Sequence, residues 1–168
     1  STADLRAFVD YGMKERTYRY FSGEPLWGFG HGLSYTRFAY TVPEAAGQIA
    51  AGGTLAITAT VRNTGARAGD EVVQAYLVPP PPTERPGSTT PVLRHQLAAF
   101  TRVTLKPGRD GTVNFRIDPR AMSSVSRDGT RRVVPGEYRL WIGGGQPGTA
   151  PGGWIRFTVT GTAMDLPK

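Results

Sequence analysis

Leu55, Ile57, Ala59 and Val61 take every second position of a run whose intervening residues are Ala56, Thr58 and Thr60. Successive side chains of a strand point to opposite faces, so this spacing builds one apolar and one solvent-facing surface. The same period of two recurs over Tyr35 to Val42, Glu71 to Val78, Val103 to Leu105, Thr112 to Ile117, Glu137 to Ile142 and Trp154 to Thr160. Inward-facing members are Val113, Phe115 and Ile117, then Tyr138, Leu140 and Ile142, then Ile155, Phe157 and Val159. Turn chemistry falls between these runs at Asn63-Thr64-Gly65, Pro107-Gly108, Asp128-Gly129 and Pro135-Gly136.

No segment of helical period long enough for a parallel crossover follows Tyr35, so antiparallel hairpins and Greek-key returns are expected. The predicted class is all-β: a seven-stranded immunoglobulin-like sandwich of the fibronectin type III kind, with an irregular N-terminal extension. Between Leu97 and Val103 the alternation slips, because Phe100 is out of phase with both, which predicts a bulge or bend. Two segments resist the scheme. Pro79 to Gln96 contains PPPPTERPGSTTP, which can form no ladder and is expected to be an exposed excursion. Ser1 to Leu33 has no sustained period, although Ser1 to Asp4 suits the cap of a helical turn.

The chain has 168 residues, room for one domain with a full core plus an extension. Its 22 glycines and 14 prolines follow no fixed period and imply many turns rather than collagen-like repetition. With no cysteine, disulfides, thiolate metal ligands and a cysteine nucleophile are excluded together. The chain opens on Ser1 and holds no run of ten uninterrupted apolar residues, so neither a signal peptide nor a transmembrane helix is expected, and a processed or excised piece is.

A net charge of +7 raises the question of nucleic acid, and 17 of the 20 basic residues are arginine. They recur singly along strands, as Arg102, Arg116, Arg139 and Arg156 do, and lack the clustering with interleaved aromatics that tracks phosphates. No nucleic-acid partner and no membrane partner is expected. Of the thirteen carboxylates, Asp70 and Glu71 come nearest to a pair, but adjacent strand residues point to opposite faces and cannot flank one scissile bond. His31 and His95 have no companion at metal-ligand spacing, and neither a metal nor a cofactor is expected. Gly28-Phe29-Gly30-His31-Gly32 lacks the lysine-serine end of a phosphate loop.

Tyr18 to Thr36, YRYFSGEPLWGFGHGLSYT, places six aromatics and four glycines in nineteen positions outside the sandwich pattern. An apolar, glycine-rich stretch of this kind needs a surface to bury it. Trp141 and Trp154 are candidates for stacking on a sugar ring, with packing as the competing role, since Trp141 alternates with the inward Leu140 and Ile142.

The run TYRYFSGEPLWGFGHGLSYTRF resembles the junction of glycoside hydrolase family 3 enzymes, the β-glucosidases and β-xylosidases, where a similar segment enters a fibronectin type III-like domain. The resemblance continues through VRNTGARAGDEVVQAYL, LAAFTRVTLKPGRDGTVNFRI and VVPGEYRLWIGG, in order and over nearly the whole chain. The lead-in DYGMKERTYRYF and the ending near LPK are more similar to the β-xylosidase branch. A departure falls at Trp27-Gly28, where a tyrosine-proline pair is common; proline would fix φ and glycine frees it.

What this resemblance implies is an accessory domain of a retaining exo-acting β-glycosidase. Residues 1–34 would be the tail of a preceding α/β sandwich domain and an interdomain strap, and residues 35–168 the fibronectin type III-like domain. In that family the aspartate nucleophile belongs to an N-terminal barrel and the glutamate acid/base to the α/β sandwich; neither segment is in this chain, so the chain alone is expected to be inactive. Its partners would be those two catalytic domains, met through Tyr18, Tyr20, Phe21, Trp27, Phe29, His31 and Tyr35, and the isolated chain would self-associate. The alternative is a carbohydrate-binding module that contacts polysaccharide or substrate through Trp141 and Trp154. The expected location of such a parent is the bacterial periplasm or the medium.

Overall fold

The protein is described by a computed structural model covering residues 12–81, 93–125 and 129–167. The expected cap at Ser1 to Asp4, most of the Pro79 to Gln96 excursion and Asp128 of one turn lie outside these residues. Helix α1 (Thr17–Tyr20) precedes strands β1 (Phe38–Thr41), β2 (Ala45–Ala50), β3 (Leu55–Asn63), β4 (Gly69–Val78), β5 (Gln96–Leu105) and β6 (Asp110–Ile117). Helix α2 (Pro119–Met122) then leads to β7 (Ser124–Val125), β8 (Arg131–Val133), β9 (Gly136–Gly143), β10 (Gly152–Thr160) and β11 (Met164–Leu166).

Two sheets face each other, one ordered β1-β3-β6 and the other β2-β10-β9-β4-β5, while β11-β8-β7 forms a small third sheet. The chain changes sheet between β3 and β4 and again between β5 and β6, as Greek-key connections require. Inward residues come from the period-two pattern: Leu55, Ile57 and Val61 of β3 and Val113, Phe115 and Ile117 of β6 face Val73, Ala75 and Leu77 of β4 and Tyr138, Leu140 and Ile142 of β9. Ile155, Phe157 and Val159 of β10 complete the same core, with the Tyr138 and Phe157 rings stacked at 5.3 Å.

Among the described residues the two facing sheets hold eight strands, one beyond the seven expected, and the small third sheet adds three more. β2 pairs in parallel with β10, against the antiparallel expectation, and Arg156 N–H donates to the Glu44 carbonyl at 3.1 Å where they meet. Partners this far apart in sequence need no crossover helix, so the parallel contact arises simply from an edge strand laid beside β10. β1 begins at Phe38 instead of Tyr35, and β5 begins at Gln96 instead of Val103. Along β5, Ala99 pairs with Ala75 and Leu97 with Tyr76, leaving Ala98 unpaired. That is the expected bulge, and it lets Leu97 to Leu105 run as one strand despite the break in phase.

Asn63 closes the corner where strands change sheet. Fully buried, its amide donates to the Arg67 carbonyl at 2.7 Å and the Leu105 carbonyl at 3.0 Å. Its Oδ1 accepts from Gly65 N–H at 3.0 Å and from the Thr36 hydroxyl at 2.6 Å. One side chain thus satisfies four groups from three separate segments, a complete inventory for a buried amide. We expect Asn63→Ala to destabilise the chain by about 2–4 kcal/mol in urea unfolding, because buried carbonyls lose their partner; a loss below about 0.5 kcal/mol, the range of an ordinary surface change, would contradict this role.

Glu71, on the inward side of β4, accepts a short hydrogen bond from the Tyr40 hydroxyl of β1 and joins the two sheets at that end. Burial pushes the Glu71 carboxyl above the usual carboxylate range, opposed by the Tyr40 bond, and burial likewise pushes the Tyr40 phenol up. A carboxyl raised in the folded state favours folding while protonated. Its stabilising effect is full below the unfolded pKa of about 4.3 and is lost as pH rises through the folded value. Glu71→Gln is therefore expected to remove part of the fall in stability between about pH 4 and 7. An unchanged slope in the variant's unfolding curves across that window would overturn the assignment.

Candidate functional site: an aromatic strap on the large sheet

Along β4, alternate burial at Asp70 to Val72 gives way to continuous burial from Val73 to Leu77; along β9 the same change occurs at Leu140 to Gly143. A strand buried on both faces lies between two layers. Gln74, Tyr76 and Trp141 point away from the core, yet Tyr76 is wholly inaccessible. Trp141 is enclosed by Trp154 and the β9–β10 connection, whereas what covers Gln74 and Tyr76 is the chain N-terminal to β1, residues 12 to 36, which crosses the outer face of the large sheet as a strap.

Four rings form the contact. Tyr18 stacks on Phe29 with centroids 4.1 Å apart and meets Tyr76 edge-on at 6.1 Å, while His95 lies 5.9 Å from Tyr18 and 5.6 Å from Tyr76. Offset and edge-on aromatic pairs add to the area they bury, about 0.5–1.5 kcal/mol each. Most of the polar rims are satisfied in register, the exceptions being the buried Arg19 Nε and His95 Nε2. The Tyr76 hydroxyl donates to Gln74 Oε1 at 2.6 Å, with the Phe29 carbonyl also in reach at 3.3 Å. The Tyr18 hydroxyl accepts from Leu97 N–H at 3.2 Å, and Phe29 N–H donates to Gln146 Oε1 at 3.1 Å. At the near end, Arg94 N–H donates to the Arg19 carbonyl at 2.9 Å and the Arg19 guanidinium to Gln96 Oε1 at 2.5 Å. Burial pushes the Tyr76 phenol up, and burial with the nearby Arg94 charge holds the His95 imidazole below the usual histidine range.

Local sequence makes this close approach possible. Gly30 has φ +78, and any Cβ there would sit 2.6 Å from the Gln74 amide. Gly28 carries no such φ, yet a Cβ on it would lie 2.3 Å from Thr149 Oγ1, so glycine at this departure from the family pattern is required by contact. On the α1 side, Glu15 and Thr17 adopt φ of 56 and 59, unusual for residues with a Cβ and costly for a β-branched one. The Glu15 carboxylate accepts from Ser22 N–H at 2.8 Å and Ser22 Oγ at 2.6 Å, and these bonds hold it below the usual carboxylate range.

Of the residues singled out in sequence, Tyr18 and Phe29 meet at the centre of the strap, and Tyr20 and Phe21 are half-buried beside them. Phe29 keeps 46% of its surface exposed, and the others face outward further: Trp27 is 72% exposed with His31 at 4.6 Å, and Tyr35 is 92% exposed. Leu26 and Leu33 are exposed along the same segment, 75% and 96%. Trp141 is buried, with its indole N–H donating to the Gly145 carbonyl at 3.0 Å; its edge-on neighbour Trp154, 5.4 Å away, is the one that solvent reaches. Sequence reading missed Gln74, Tyr76, His95 and Gln146, although VVQAYL carries apolar residues in both phases, the mark of a strand covered twice. Asp70 and Glu71 take opposite faces as expected, Asp70 pairing outward with Arg102 and Thr104. Among the described residues no three metal-ligating side chains converge, and no helix is long and apolar enough to cross a membrane.

Residues 71–146 match the family model of the fibronectin type III-like domain. A β-xylosidase of Formosa agariphila is 37% identical over 133 residues, which cover 79% of this chain and 18% of that protein. A β-glucosidase of Rhizobium radiobacter is 38% identical over 121 residues, covering 71% of this chain and 14% of that protein. Among solved structures, β-glucosidase 3B from Thermotoga neapolitana in complex with α-D-glucose aligns with a TM-score of 0.69 at 31% identity, over 90% of this chain and 19% of that one. The chain thus spans less than a fifth of the length of these relatives. Fold, motifs and relatives agree, and the chain belongs to the fibronectin type III-like domains, in the form carried by β-glucosidases and β-xylosidases of glycoside hydrolase family 3.

Proposed function

We propose that this chain is a structural C-terminal accessory domain of a retaining exo-acting β-glycosidase, acting on β-xylosides or β-glucosides, and that its strap seats against the catalytic domains. The observation that carries this is the outward row Leu26, Trp27, Leu33 and Tyr35, held out on a backbone that Tyr18, Phe29 and Gly30 pin to the sheet. Large apolar side chains exposed together mark an interaction surface. Val72 and Phe100 add to it from the adjacent outer face of β4 and β5, since Phe100 is 68% exposed and sits in register with Gln74 beneath Gly30. A surface already ordered in the free chain binds without the entropic cost of fixing a loose segment. Relatives named for β-xyloside and β-glucoside hydrolysis supply the substrate class, and the chemistry would reside in the catalytic domains they possess outside the matched region.

Without those domains the row is left to solvent. The isolated 168-residue chain is expected to rise in mass with concentration in sedimentation equilibrium over about 1–100 μM and to bind an apolar dye such as ANS. The triple variant Trp27→Ser, Leu33→Ser, Tyr35→Ser should stay monomeric, with dye binding lowered several-fold and stability changed by no more than about 1 kcal/mol, as for exposed positions. A wild-type chain that is monomeric throughout and binds no dye would overturn the proposed seam.

A further inference from the structure

We propose that the cleft between the strap and β9 and β10, lined by Trp154, Glu137, Arg139, Glu24, Arg94 and His95, binds an uncharged oligosaccharide. The cleft has a volume of about 920 Å³, toward the upper end of small-molecule sites and too large for a single small ion. Trp154 lies on its wall with 40% of its surface exposed; Trp141 meets the ring edge-on and the Arg139 guanidinium sits 5.2 Å from its centroid, so the indole is held in place yet open to a ligand. An aromatic surface of this kind packs on the C–H face of a sugar ring while neighbouring polar groups take the hydroxyls.

Charge selects the ligand class. Glu24 and Glu137 offer acceptors, Arg94 and Arg139 donors, and the two signs balance within one cleft. An inorganic anion would meet both carboxylates and a polycation both guanidiniums. A proline-rich segment would desolvate the carboxylates while offering them few N–H donors, an unfavourable exchange. Hydroxyl groups that both donate and accept suit all four. The second observation is His95 on the cleft wall, nine-tenths buried beside Gln146, which hydrogen-bonds it; its Nε2 is enclosed and has no partner among the described residues. Buried polar atoms are nearly always paired, so this enclosed nitrogen marks a wall whose polar groups are not fully satisfied from within the chain.

The cleft draws on Phe21 to Pro25 and not on Leu26, Trp27, Leu33 or Tyr35, so it does not depend on the seam proposed above. The test is a titration of the isotopically labelled 168-residue chain with xylohexaose and cellohexaose, followed by amide and indole N–H shifts. Expected is binding with Kd between about 10 μM and 1 mM, with shifts at Trp154, Arg139, His95 and Gly148. Trp154→Ala should weaken it at least tenfold. Because Trp154 packs on Trp141, Glu137→Gln gives an independent reading that leaves the aromatic pair intact, and should weaken binding several-fold. No shift with either sugar at about 10 mM, shifts confined elsewhere, or tighter binding of inorganic phosphate or a proline-rich peptide would each overturn the proposal. Failure here would leave the self-association of the chain unaffected, so the two ideas fall separately.

Discussion

Tyr76 is wholly buried on the side of its sheet that faces away from the core, and that placement sets the demands the rest of the molecule meets. A phenol in such a position needs a cover for its ring and an acceptor for its hydroxyl. The Tyr18 ring, with Phe29 stacked on it, supplies the first and Gln74 the second. Once the cover must lie flat on Gln74, position 30 requires a residue free to take φ +78 without a Cβ. Trp141 in the same layer imposes the corresponding demand on its own strand pair, where Cβ atoms at Gly143 and Gly152 would fall 2.8 Å and 2.6 Å from the indole. A two-sheet sandwich thereby becomes three layers over part of its larger sheet, at Val73 to Leu77 and Leu140 to Gly143.

That arrangement divides the strap's aromatics into two groups with different roles. Tyr18 and Phe29 anchor, exchanging contacts with Tyr76 and backbone groups of β5. Trp27 and Tyr35 face outward from the anchored backbone. Anchoring fixes the geometry of the outward group, and a rigid display surface binds better than a flexible one of the same composition. Glycines between the two groups serve close contact, since a methyl group at Gly30 would collide with Gln74 of the sheet beneath and one at Gly28 with Thr149 of the β9–β10 connection.

The sandwich was legible in the chain because alternation maps directly onto two faces, and Leu55 to Val61, Thr112 to Ile117 and Trp154 to Thr160 are buried in the predicted phase. The bulge was legible as a slip in that phase, now located at Ala98. The parallel edge strand β2 was not, because Ala45 to Ala50 has exposed, small and glycine residues and owes its strand conformation to hydrogen bonds with β10. The third layer was hidden for a related reason. Its contacts join residues far apart in sequence, Tyr18 to Leu97 and Phe29 to Gln146, and no local period encodes them. What local sequence did carry was an unread sign, the apolar residues in both phases of VVQAYL. His95 and Glu137 gave no signal at all as cleft residues, since a lone histidine and a strand glutamate are ordinary until a fold places them beside a tryptophan.

Native-state hydrogen exchange reports most directly on whether the strap is a layer of the fold. The amides of Phe29, Arg94 and Leu97, which bond across the strap boundary, should be protected in the wild-type chain. In Tyr18→Ala they should lose protection together while the amides of β3 and β6, in the opposite sheet, keep theirs, as expected for a cooperative unit of lower stability than the core. Exchange of those three amides at unprotected rates in the wild-type chain would contradict the account.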